Sequence, residues 1–263
     1  MSETPANVSA PAIAMRGVAA GANTNPAVTV ATEVNWMVNP GEFWVVAGPQ
    51  HSGKTDFLMM VGGLTAPTAG EYHFLGEPMP IFEEARLARR LKLGFVFDGG
   101  QLLSHLTVAE NIALPLRYHL DLAPDEMAAR VHALLEFTEL QPWANSTPGN
   151  VGRSLQQRAG LARALALTPE VLLLDSPLTG LDARHTHWWL HALDELSRGH
   201  PLLTGKPLTL VATADDLRPW RGHAKHFACL ADQRLLVLGD WAAAEGSREK
   251  AVRDLLDAAP AHD

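Results

Sequence analysis

"EFWVVAGPQHSGKTDFLMMVGGL", Glu42 to Leu64, carries three patterns in one short run. Phe43 to Ala47 are apolar without alternation, the mark of a strand covered on both faces. "TDFLMMVGGL" at the far end reads as an apolar helix. Between them "GPQHSGKT" (Gly48, Pro49, Gln50, His51, Ser52, Gly53, Lys54, Thr55) keeps the spacing G-x-x-x-x-G-K-[ST], with a strand before it and a helix after it. The glycines let backbone N–H groups turn inward around phosphate oxygens, and the helix N-terminus adds its positive end. Lys54 is then expected to meet the β- and γ-phosphates, and the Thr55 hydroxyl to ligate Mg²⁺.

Working outward, "LKLGFVFD", "VLLLD" and "LTLVAT" read as further strands separated by helical stretches, which implies an α/β core with a parallel sheet. "AVTVATEVNWMV" alternates like a half-buried strand, and "TAPTAGEYHFLGEPM" returns to turn-and-strand chemistry. The middle, Leu103 to Leu140, is helical, its second helix opened by Pro124, Asp125 and Glu126. The run "VLLLDSPLTGLD", Val171 to Asp182, delivers Asp175 at the end of a buried strand, where a carboxylate is expected to support the metal. An isolated buried carboxylate would be costly, so a purely structural Asp175 would need a partner.

The bulk numbers narrow the class. A net charge of −8, with no dense basic cluster, argues against a nucleic-acid binder. "RLARRLK", Arg86 to Lys92, reads as a solvated helix face. The single cysteine, Cys229, excludes an internal disulfide and reads as a small buried strand residue. No run approaches the roughly 18 apolar residues of a membrane span, and "MSETPANVSAPA" lacks the plan of a secretory signal. The expectation is a cytoplasmic protein, with residues 1–12 a disordered tail, that meets a membrane only through a partner. His187 and His191 have an i, i+4 spacing but no further ligand nearby, and Trp188 and Trp189 read as packing residues.

The order of these pieces resembles the ATP-binding subunits of ABC transporters. Besides the phosphate loop and Asp175, "LTAPTAGEYHFLG", "LLSHLTVAENIALPL", "QQRAGLARALAL" and "LTGLD" carry the resemblance, which runs from about Ile13 to the C-terminal helix. The run "LTVAENIALPLRYHLDLAPDEMAARVHALLEFTEL" looks most like the lipid-trafficking, toluene-tolerance subgroup. The resemblance implies one domain over residues 13–263, an ABC-type P-loop ATPase fold. A parallel-sheet core would carry an N-terminal antiparallel β part and a helical subdomain at about 103–165. It implies ATP and Mg²⁺ as ligands, a second ATP-binding subunit, identical or different, and an integral-membrane permease that holds the chain at the inner membrane face.

In that family each composite site joins the phosphate loop of one subunit to the signature and D-loop of the other. Measured against this pattern, the chain departs at each expected catalytic position. The general-base glutamate is Ser176, the switch histidine is Ala214, and the γ-phosphate-sensing glutamine is Asp98. The signature reads Val151, Gly152, Arg153, Ser154, Leu155, and the D-loop aspartate is Asp182. Residues 19–28, where an adenine-stacking ring is expected, contain no aromatic side chain. Ser176 can hold a water but cannot accept its proton at neutral pH. Arg153 and Ser154 either obstruct close approach to a γ-phosphate or let Arg153 pair with it. Asp98 is open to three roles: a displaced base, a solvent-facing residue, or a metal-repelling one. Because the losses fall on both faces, a homodimer and a heterodimer alike would have two impaired sites, which favours nucleotide-gated assembly over fast turnover. The alternative is a non-transport pseudo-ATPase that regulates a complex by ATP-dependent pairing. A GTPase lacks support, since no N-K-x-D run is present.

Overall fold

A computed structural model describes residues 10–79 and 87–257. Most of the expected N-terminal tail (residues 1–9) and Arg86 of the basic stretch fall outside the described residues.

Among the described residues the strands form two sheets. The first is antiparallel, in the order β2-β1-β4-β5, from β1 (Ile13–Gly21), β2 (Thr29–Val38), β4 (Ala69–Phe74) and β5 (Glu77–Pro78). The second runs β10-β9-β3-β8-β7-β6. It comprises β3 (Phe43–Ala47), β6 (Leu93–Val96), β7 (Val171–Leu174), β8 (Thr209–Ala214), β9 (His226–Ala231) and β10 (Arg234–Gly239). All its neighbours pair in parallel except β9 with β10.

β3 explains the core. Its five residues are all buried, with Phe43, Val45 and Ala47 in one apolar cluster and Trp44 and Val46 in the other. A continuous apolar strand therefore feeds both layers. One cluster takes in α1 (Lys54–Val61) and the antiparallel sheet through Phe57, Met60, Trp36 and Phe74. The other takes in the helices beyond the opposite face: α3 (Val108–His119), α4 (Pro124–Phe137), α5 (Arg153–Leu165) and α6 (Ala183–Arg198). The short α2 (Leu87–Arg90), α7 (Trp241–Glu245) and α8 (Lys250–Asp257) complete the helices of the described residues. None is long and apolar enough to cross a membrane.

β1 is a strand that periodicity does not announce. Its register shifts between Met15 and Val18, and Gly17 takes φ +58, so the alternation breaks halfway. The helical middle follows local rules better. Thr107 and Glu110 form a reciprocal cap at the start of α3. Trp189 is fully buried in α6 as expected, and the Arg158 guanidinium lies 3.8 Å from the centre of the Trp188 ring. Cys229 is buried on β9, and desolvation pushes its thiol up to about 11, as fits an inert core residue.

Candidate functional site

The phosphate-loop residues follow β3 and lead into α1, at the carboxyl end of the parallel strands. Gly48 is required by space: an added Cβ would fall on the Leu230 carbonyl oxygen and lie 2.6 Å from Ser52 Oγ. Gly53 is required by conformation, at φ +84. Lys54 is buried, and Nζ donates to the carbonyls of Gly48 and Pro49, each at 2.8 Å. Burial lowers the affinity of this ammonium for its proton, while Asp215, Asp175 and Cys229 oppose the shift. An ammonium has three donors, so one remains for a phosphate oxygen. Pro49, Gln50, His51 and Thr55 are exposed on the loop's open side.

The strand order brings the second element to the loop. β8 lies between β3 and β7, so Thr213 near its end stands beside Asp175, which follows β7. Among the described residues Asp175 forms no salt bridge. Its Oδ2 accepts from the Thr55 hydroxyl at 2.9 Å, and its Oδ1 accepts from Thr213 Oγ1 at 2.9 Å. Thr213 Oγ1 also accepts the backbone N–H of Ser176 at 2.8 Å. Thr213 therefore fixes both the carboxylate and the residue after it, a role no sequence spacing signals. Ser176 lies in the left-handed region at φ 48, and Ala214 contributes only its carbonyl, which accepts the Gly48 N–H at 3.0 Å.

Burial raises the Asp175 carboxyl above its ordinary range, against the two threonine hydroxyls and Lys54, while Asp98 adds to the rise. A raised folded-state value means this carboxyl's contribution to stability is complete below the ordinary value of 3.8 and is lost as pH climbs through the folded one. Asp175→Asn is therefore expected to raise the melting midpoint of the nucleotide-free chain by about 2 °C at neutral pH. The gain should shrink toward pH 4 in calorimetric melts.

The donor set fits a magnesium triphosphate. Thr55 and Asp175 juxtapose a hydroxyl and a carboxylate, hard oxygens of the kind Mg²⁺ takes. Ser52 Oγ is buried in the loop and finds no partner among the described residues, as a phosphate-facing hydroxyl would. The segment carrying residues 19–28 is tied to the start of α1 by Asn23 N–H donating to Asp56 at 2.8 Å, with no ring to offer a base.

The residues at the start of α5 assemble differently from expectation. Gly152 caps the helix, Val151 is buried, and Leu155 is partly buried. Arg153 reaches back within the chain, and its Nη2 donates to both oxygens of Asp98 at 2.7 Å. The side chains are 67% and 45% exposed, so the pair adds at most about 1 kcal/mol. Two positions read separately from the sequence are thus one ion pair. Asp182 caps α6, and His185, which the sequence reading missed, links it to Ser154.

A sequence profile described as ABC transporter matches residues 31–179. The chain belongs to the ABC transporter family. This ATP-binding subunit is 30% identical over 225 residues to the intermembrane phospholipid transport system ATP-binding protein MlaF of Escherichia coli K12, covering 85% of this chain and 81% of that protein. It is 42% identical over 161 residues to the Nod factor export ATP-binding protein I of Burkholderia thailandensis, covering 60% of this chain and 52% of that one. Among solved structures, the dimeric bacterial ABC transporter cassette MJ0796 superposes with a TM-score of 0.75 at 29% identity, covering 85% of this chain and 96% of the cassette. A second structure of that cassette, a post-hydrolysis dimer bound to ADP and Pi, has a TM-score of 0.75 at 28% identity. The expected fold class is the one found.

Proposed function

We propose that the chain binds MgATP through residues 48–55, pairs head to tail with a second cassette, and couples that pairing to a membrane permease while cleaving ATP slowly. The observation that carries this reading is the site itself. Lys54, Thr55 and Asp175 converge on the phosphate loop, whereas Ser176 and Ala214 beside them can accept no proton. Bound there, Mg²⁺ would supply charge neutralisation at the phosphates, held by Thr55 and Asp175. The loop's backbone N–H groups and Lys54 would orient the triphosphate.

The residues around 103–165 supply the face for the permease. A groove of about 510 Å³ between α3 and α4 is lined by Ala113, Leu122, Met127, Ala128, Val131 and Leu135. Leu103, Tyr118 and Leu120 add exposed apolar area on the same helical layer. We assign this face to a helix of the permease, which would hold the subunit at the inner surface of the membrane. Lipid-like cargo follows from the likeness to MlaF, a phospholipid transport protein by name. The relatives' transport names favour this reading over a regulatory module.

The test is to load the subunit, purified with its permease, with MgATP and remove free nucleotide. The bound nucleotide is then identified after several minutes. Intact ATP is the expected species. Recovery mainly as ADP, or no heat of nucleotide binding in calorimetry, would overturn the reading.

A further inference from the structure

Asp182, His185 and Ser154 form a continuous line of hydrogen bonds. Asp182 accepts the backbone N–H of His185 at 2.9 Å, and both its carboxylate oxygens lie 2.9 Å from His185 Nδ1. The other ring nitrogen, Nε2, lies 3.1 Å from Ser154 Oγ. An ionised carboxylate can only accept, so Nδ1 carries a proton; in the neutral imidazole Nε2 then keeps its lone pair and the Ser154 hydroxyl donates to it. The backbone N–H of His185, followed by its ring, holds the Asp182 carboxyl below the usual range, so it stays ionised. Carboxylate, imidazole and hydroxyl in this order can receive a proton at the hydroxyl and pass one to the ring.

The line opens at the surface. The His185 side chain is 26% exposed, and an added Cβ on Gly152, two residues from Ser154, would meet nothing within 4 Å. Among the charged groups nearby, Asp182 touches the imidazole and Arg184 precedes it on the same element, while Arg158 and Arg153 lie on α5 with Ser154. The last two are each occupied by a carboxylate, Glu139 and Asp98 respectively. Resting on the head-to-tail pairing proposed above, this surface faces the triphosphate held by a second copy, where Ser176 and Ala214 provide no base.

We propose that the Asp182–His185–Ser154 relay is the proton acceptor for the slow ATP cleavage at the second copy's phosphate loop. A water oxygen bonds to the γ-phosphorus as the bond from that phosphorus to the β–γ bridging oxygen breaks. The electron pair of the broken bond leaves with ADP. The water's proton goes to Ser154 Oγ while the Ser154 proton goes to His185 Nε2, and the imidazolium formed is stabilised by Asp182. Loss of that proton to solvent, with a proton returned from the ring to the serine, restores the relay. Ser154 and His185 are the catalytic residues, and Asp182 is a positioning residue.

The decisive experiment mixes two full-length variants. Lys54→Ala keeps the relay without a competent loop, and His185→Ala keeps the loop without the relay. Each alone should release phosphate at least about a hundredfold more slowly than the unaltered chain. Their mixture should recover a substantial fraction of the lost rate, because one composite site then holds both intact halves. Asp182→Asn keeps a capping side chain but removes the carboxylate, and should slow phosphate release and admit the Nε2–H tautomer of His185 without lowering the melting midpoint appreciably. Independently of turnover, ¹⁵N spectra of the nucleotide-free chain should show His185 protonated at Nδ1. A proton on Nε2, equal release with and without His185, or a mixture no faster than its parts would overturn the relay. Calorimetric uptake of MgATP by His185→Ala would leave the binding role standing in each case, and its absence would count against that role instead.

Discussion

Replacing Ser176 with Glu should raise single-turnover phosphate release about a hundredfold. The position follows Asp175 directly, and its backbone N–H is fixed by Thr213 at 2.8 Å. The serine hydroxyl beside it is 3.4 Å from the Thr213 hydroxyl, a contact that can orient water but cannot take up its proton. A carboxylate there can. The backbone is already left-handed, at φ 48 with a non-glycine residue, so the exchange introduces no new strain class. The gain should stay below the upper end of about 10⁴ for general-base help, because Ala214 still offers no imidazole to position the reacting groups. Unchanged release with MgATP uptake intact would locate the limitation in alignment of the triphosphate instead.

Gly100→Ala should destabilise the chain by about 3 kcal/mol, a fall in melting midpoint of roughly 6–12 °C. Gly100 stands at φ +77, where a side chain is strained whatever the space. Here there is no space either: the added Cβ would fall on the Gln156 carbonyl oxygen and lie 2.8 Å from its carbon. Gly160 meets the same backbone from the other side, since its own added Cβ would come within 2.8 Å of Gly100 Cα. Both partners are backbone, which cannot swing aside. Gly149→Ala is the control, because nothing lies within 4 Å of its added Cβ, and it should change stability by less than about 0.5 kcal/mol. Thermal melts of the two variants decide the matter, and a Gly100→Ala chain as stable as Gly149→Ala would refute the packing argument.

The parts legible in the sequence share one property: their cause is local. The loop spacing from Gly48 to Thr55, the buried run into Asp175 and the helix start at Pro124, Asp125 and Glu126 each act within a few residues of themselves. β1 escaped because bulges and Gly17 break its alternation. Thr213 escaped because its contact with Asp175 exists only once β8 lies beside β7, and strand order is not written in any one segment. Asp98 and Arg153 are 55 residues apart, so each read alone as a departure from the family pattern. Within the chain the Arg153 guanidinium lies on Asp98. His185 was hidden for the same reason, its partner Ser154 lying 31 residues away on another helix.

The turn after β6 is fastened to α5 at three levels. Asp98 meets Arg153 at the helix start, the Gly100 backbone lies against Gln156 and Gly160, and Arg163 donates to the Gly100 and Gln101 carbonyls at 2.8 and 3.1 Å. A joint clamped along about three turns of helix resists pivoting. Any displacement at the edge of the parallel sheet must therefore carry the whole helix with it as a rigid lever, moving the signature end and the far end together.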